Sequence, residues 1–167
     1  MTTETPTWQR LDAALIEAFD ADMADLEDDA LSLETIQIGD TWTPDTWTLP
    51  ALLLVSNDAE QVSAQHGGGG YSHVQITYSY YAVAVAQSTT HNAAKQAAQE
   101  LNRRMLDVLR QWGDILQAAR EDGPTDPEIP IRLLLGRSLL QVRGRQGASA
   151  GKWYGIASIE FEIETQK

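Results

Sequence analysis

The sequence predicts an α+β domain: an antiparallel-rich mixed β-sheet containing a long hairpin, with two main helices packed on one of its faces. Three observations lead there. Apolar residues alternate along 73–87 and 153–165, as half-buried strands require. A separate apolar stripe at helical spacing runs from Ala94 to Trp112. The elements then follow the order helix, strands, hairpin, helix, hairpin, which suits helices segregated onto one face of an antiparallel sheet. A chain of 167 residues fits one domain, taken as 1–167, and can bury a full core without staples.

Taken in order, Thr5-Pro6-Thr7 reads as a helix start with a capping hydroxyl and a proline in the first turn. Trp8, Leu11, Leu15, Ala18 and Phe19 form the buried stripe of that helix, which is expected to end near Asp20, with Met23 and Leu26 as a weak extension. Thr35-Ile36-Gln37-Ile38, closed by Gly39-Asp40, reads as a short strand. Residues 41–48 repeat the unit Thr-Trp-Thr around Pro44-Asp45 and read as a loop. Residues 51–55 form a continuous apolar run, a strand buried on both faces. Residues 56–73, with four consecutive glycines at 67–70, read as a flexible loop.

The strand over 73–87 places Val74, Ile76, Tyr78 and Tyr80 on one face, but its larger apolar set then becomes Tyr81, Val83 and Val85. Either a bulge switches its buried face, or its second half is covered on both sides, with Ala82, Ala84 and Ala86 against a close neighbour. Ser88-Thr89-Thr90 caps the second helix, and Gly113 offers a stop signal. Gly123-Pro124, Pro127 and Pro130 mark 121–130 as a Pro-rich loop. The last two strands read as a hairpin that pairs Val142 with Gly155 and Leu140 with Ala157. The same register sets Arg137 opposite Glu160, and it turns Ala157, Ile159, Phe161 and Ile163 inward.

The composition excludes several classes of function. A formal charge of −12 argues against tight nucleic-acid binding, which needs clustered cations. With no cysteine, thiolate chemistry and disulfides are ruled out. No apolar run approaches a membrane span, and the first residues carry no basic or apolar leader, so neither membrane insertion nor a secretory signal is expected. His66 and His73 flank the glycine run, with Asp58 and Glu60 nearby, but a mobile loop is a poor metal site. His91, at a helix start, is most simply a surface residue. The glycine run lacks the Gly-Lys-Ser/Thr of a phosphate loop, and no Gly-x-Ser-x-Gly occurs. No catalytic, metal or cofactor-binding residue is expected; the chain reads as a non-enzymatic structural subunit.

The residues that stand out belong to surfaces. Trp42 and Trp47 share one turn where a core role is not evident, and Trp and Arg are common interface anchors. Residues 1–34 hold ten acids against Arg10 alone, a net of −9, whereas 131–152 hold Arg132, Arg137, Arg143, Arg145 and Lys152 with no acid, a net of +5. These opposite patches suit either head-to-tail self-association or pairing within one chain. The interface candidates are therefore Trp42, Trp47, Arg137, Arg143 and Arg145, with the unpaired edge of the long strand as a further one. Glu160, Glu162 and Glu164 line one strand face, either as a solvated acidic surface or as the wall of a channel.

Leu-Pro-Ala-Leu-Leu-Leu-Val at 49–55, the alternating strand over 74–86, Ala-Ala-Lys-Gln-Ala-Ala-Gln-Glu-Leu at 93–101 and the terminal strand over 157–165 give the chain a layout that resembles the tail terminator, or tail completion, proteins of long-tailed phages. The likeness lies in element order over nearly the whole chain; the glycine run, the Trp loop and the insert at 121–130 depart from it. The resemblance implies a hexameric ring of copies of the chain that caps the tail tube, stops its polymerisation and meets the head connector. DNA would pass through the lumen as non-sticking cargo. It further implies no cofactor, and a place in the virion tail or neck after assembly in the host cytoplasm. A tail tube subunit, another neck or head-completion protein, a small ligand-binding domain or enzyme, and an adaptor that binds a basic partner through the acidic N-terminal segment are the alternatives.

Overall fold

A computed structural model of the chain describes residues 5–39, 47–66, 72–121, 128–144 and 151–167. The order is α1 (Thr7–Met23), β1 (Thr35–Ile38), β2 (Ala51–His66), β3 (Ser72–Ser88), α2 (His91–Arg110), α3 (Trp112–Glu121), β4 (Ile129–Gly144) and β5 (Trp153–Gln166). The five strands form one sheet in the order β1-β2-β3-β5-β4. Within this sheet β1 and β2 pair parallel, and β2–β3, β3–β5 and β5–β4 pair antiparallel. The expected α+β class and mixed sheet are what the structure has.

One core joins the three helices to one face of the sheet. Leu11, Leu15 and Phe19 of α1, Leu101 and Met105 of α2, and Ile115 and Leu116 of α3 cluster with Leu52, Leu54, Tyr80, Ile159, Phe161 and Ile163. Tyr80 stacks on Phe161 at a centroid distance of 5.3 Å. The inward set on β5 is the expected one: Ala157, Ile159, Phe161 and Ile163 are all buried. Strand β3 has no bulge against β5, and its second half is covered on the helix side, with Val85 alone of its larger apolar set buried on the other face and Tyr81 and Val83 half-buried. Its register with β5 runs unbroken from Gln75 to Ser88. Ala82, Ala84 and Ala86 stay on the helix side, fully buried, while Val85 is buried on the opposite face. The alanines admit α2 closely; Thr90 caps that helix by accepting from the Ala93 N–H at 3.1 Å.

Several expectations change. Helix α1 continues to Met23, which is fully buried; its N-cap is Pro6, with no side-chain cap. Trp8 and Trp112, expected in buried stripes, are 49% and 42% exposed. Gly113 does not end a helix. Helix α2 ends at Arg110 with Gln111 as its C-cap, and α3 begins at once, with Gly113 inside it. Most of 56–73 is hairpin rather than loop: β2 reaches His66 and β3 starts at Ser72, with a register shift between Asn57 and Gln61. Backbone pairing needs no apolar side chains, so polar residues can extend the arm beyond the core. Ile129 and Pro130, expected in the Pro-rich loop, already belong to β4. The glycines at 67–70, Trp42, Arg145, the tip of the last hairpin and residues 122–127 lie outside the described residues.

Candidate functional site

Buried polar groups gather where α1, α3 and the sheet meet, and their geometry is that of a clasp. Glu128 accepts from the Tyr78 hydroxyl at 2.7 Å and the Thr165 hydroxyl at 2.6 Å through one oxygen, and from the Thr7 hydroxyl at 3.0 Å through the other. Arg10 donates to Thr7 Oγ1 at 3.0 Å and to the Ala119 carbonyl at 2.9 Å. The Tyr80 hydroxyl donates to Asp12 at 3.0 Å. Burial raises the Asp12 carboxyl above its usual range, although the Tyr80 hydrogen bond opposes it. Burial, then the Asp12 charge, pushes the Tyr80 phenol far up. These contacts close the ends of α1, α3 and β4 onto β3 and β5. Each carboxylate is occupied by a neighbour of its own chain, which fits a structural role.

Among the described residues, no group of three or more His, Asp or Glu is placed to hold a metal ion. A shallow hollow on the helix-free face of the sheet is walled by Val55, Tyr81, Val83, Gln141, Arg143, Ile156 and Ser158, with Arg143 as its one charged wall. His91 is exposed, and its ring meets Trp153 edge-on at 5.1 Å.

A second polar cluster fixes the acidic turn before β1 onto α2. Arg104 reaches Asp29 at 2.7 Å and Glu100 at 3.0 Å, and Arg103 bonds Glu100 at 2.6 Å. The Arg103 and then the Arg104 hydrogen bonds pull Glu100 down to about 2. The Leu31 N–H, followed by Arg104, lowers Asp29. Both carboxyls thus have folded pKa values below their unfolded ones, so their stabilisation is complete at neutral pH and is lost as pH falls through 4.5 towards about 2. Glu100 is 35% exposed, so screening holds its share below ~1 kcal/mol. An acid titration followed by circular dichroism should therefore show a shallower loss of stability for Arg104→Met than for the unaltered chain.

The open surfaces are the two edges of the sheet. The long strand β3, expected to offer an unpaired edge, is paired on both sides by β2 and β5. Among the described residues, β1 and β4 are the terminal strands. Strand β4 is 16 residues long and rich in exposed aliphatic side chains: Ile129, Ile131, Leu134, Leu135, Leu139 and Leu140 are each 37–49% exposed. Ile38 on β1 is 49% exposed. The sequence pattern does not disclose this exposure, because neighbour order in a sheet, not alternation, decides which strand is an edge.

The two edges differ in charge. Arg132, Arg137 and Arg143 on β4 are exposed, as are Asp25, Glu27, Asp28 and Glu34 in the segment leading into β1. Among the described residues no salt bridge joins 1–34 to 131–152. The hairpin pairs Val142 with Gly155 and Leu140 with Ala157, as expected. The expected Arg137–Glu160 ion pair is absent: a bulge between Leu135 and Ser138 sets two β4 residues against Glu160 and turns Arg137 off the rung. The ion pair that forms is Arg132–Glu164. Glu164 is consequently only 8% exposed, and the solvated acidic face narrows to Glu160, half-buried, and Glu162, exposed. Arg143 donates to Gln141 at 3.2 Å. Trp47 is half-buried and has contacts within the chain.

Fold and surfaces together define an α+β domain whose sheet, among the described residues, ends in β1 and β4, with exposed acids leading into the one and exposed arginines along the other. Among solved structures, the chain is similar to one in the virion of a native gene transfer agent (GTA) particle: 13% identity, 96% of this chain and 92% of that one covered, TM-score 0.38. No family model and no curated protein matches.

Proposed function

We propose that this chain is a non-enzymatic structural subunit of a phage-type virion: copies assemble head to tail into a closed ring that caps the tail tube, halts its polymerisation and joins the tail to the head connector. One observation carries the reading: a sheet with both edges unpaired among the described residues, acidic beside β1 and basic with exposed aliphatics along β4. Open edges recruit strands, and opposite charge on opposite edges favours a heterologous contact, which closes into a ring or runs on as a filament. The layout of elements, which resembles tail terminators, supports the ring. A tail tube or other neck subunit is the second reading, favoured by the same edges. Electron microscopy of the purified chain separates them: single rings are expected, filaments would point to a tube subunit, and isolated monomers would contradict both.

In such a ring, Glu160 and Glu162 on the helix-free face provide the acidic wall that keeps passing DNA from sticking. Changing both to Lys is expected to slow DNA ejection from assembled particles, measured by time-resolved DNA release. Unaltered release would remove these residues from the lumen.

A further inference from the structure

We infer that the contact between copies is an antiparallel pairing of residues 138–141 of β4 with β1 of a second copy; this rests on the ring reading above. Strand direction comes first. β1 runs parallel to β2, β3 runs opposite to β2, β5 runs along β2, and β4 runs opposite again. Rotation about an axis along the strands leaves their direction unchanged. A β4 edge that meets the next copy's β1 edge in a ring therefore meets it antiparallel, and the sheet continues without reversal.

Level comes next. Following the ladder across one copy, Thr35 lies level with Ala51, Val85, Ile156 and Gln141. Ile38 lies level with Leu54, Ala82, Ile159 and Ser138. The four residues of β1 thus stand at the height of residues 138–141. Faces agree as well. Ile36 and Ile38 share the helix side with Leu140, and Thr35 and Gln37 share the open side with Leu139 and Gln141. A stagger of two residues preserves this match; a stagger of one reverses it. The exposed aliphatics Ile38, Leu139 and Leu140 all lie at this height, where the pairing would cover them.

Charge selects the same occupant. Glu34 continues alongside β2, with its N–H donating to the Pro50 carbonyl at 2.8 Å. Asp25, Glu27 and Asp28 precede it, all exposed. Arg143 lies one residue beyond Val142, at the same end of the sheet on the opposite edge. Pairing β4 with the next copy's β1 brings Arg143 to this acidic segment, whereas pairing β4 with a second β4 would bring arginines together.

The chain has no cysteine, so engineered thiols report cleanly. Purified Gln37→Cys/Leu139→Cys protein, treated with a short bis-maleimide, is expected to give a ladder of covalent oligomers that ends at the ring, with none from either single variant. Gln37→Cys/Gln141→Cys serves as the second pair should the first not fold. An oligomer by native mass that gives no ladder with either pair overturns this contact but leaves the ring standing. Covalent dimers from Leu139→Cys alone identify a β4–β4 contact and overturn it too. A monomeric native mass for the unaltered chain removes the ring reading itself.

Discussion

Gly155→Ala is expected to destabilise the chain by about 3 kcal/mol, lowering its melting temperature by roughly 10 °C in a thermal scan. Gly155 lies buried on the helix side of β5, between Ala86 of β3 and Val142 of β4. A β-carbon there would run into the Ala94 carbonyl and approach the Ala98 amide nitrogen to 3.1 Å. Both atoms belong to the backbone of α2, so no rotamer change relieves the clash; the helix must lift off the sheet. Its stripe of Ala94, Ala97 and Ala98 has no slack to give, because those alanines are already buried against the strands. Gly113 is the control. It sits in α3 with nothing near its missing β-carbon, so Gly113→Ala is expected to stabilise by about 0.5–1 kcal/mol.

The second large effect concerns assembly. Leu139→Glu is expected to leave the monomer's unfolding within about 0.5 kcal/mol, because the side chain is 48% exposed on an edge strand. The same change puts a charge at the centre of the proposed contact, where it should weaken association about 30-fold or more, read as a shift in the concentration at which oligomers dissociate. Unchanged association would place the contact elsewhere on the surface. Loss of both stability and association would make Leu139 part of the subunit's own packing.

Much of the fold was legible in the sequence because the pattern that encodes it is local. The α2 stripe and the alternation on β5 gave both elements, and matching apolar faces gave the rungs Val142–Gly155 and Leu140–Ala157. Helix α3 was hidden by Gly113, although Ile115, Leu116 and Ala119 carry a helical spacing behind it. The candidate site was less legible. Separation of charge along the chain was visible, but exposure of β4 follows from its terminal place in the sheet, which is a non-local fact. The burial of Glu164 was equally hidden: in sequence it matches Glu160 and Glu162, and only the cross-strand Arg132 sets it apart.

The most direct test is the native mass of the purified chain as a function of concentration. One chain is 18.4 kDa. A single discrete species at a whole multiple of that mass, persisting on dilution and dissociated by raised salt, is the predicted result. A mass that stays at one chain however concentrated the protein would contradict the proposal that joining copies of itself is what this molecule does.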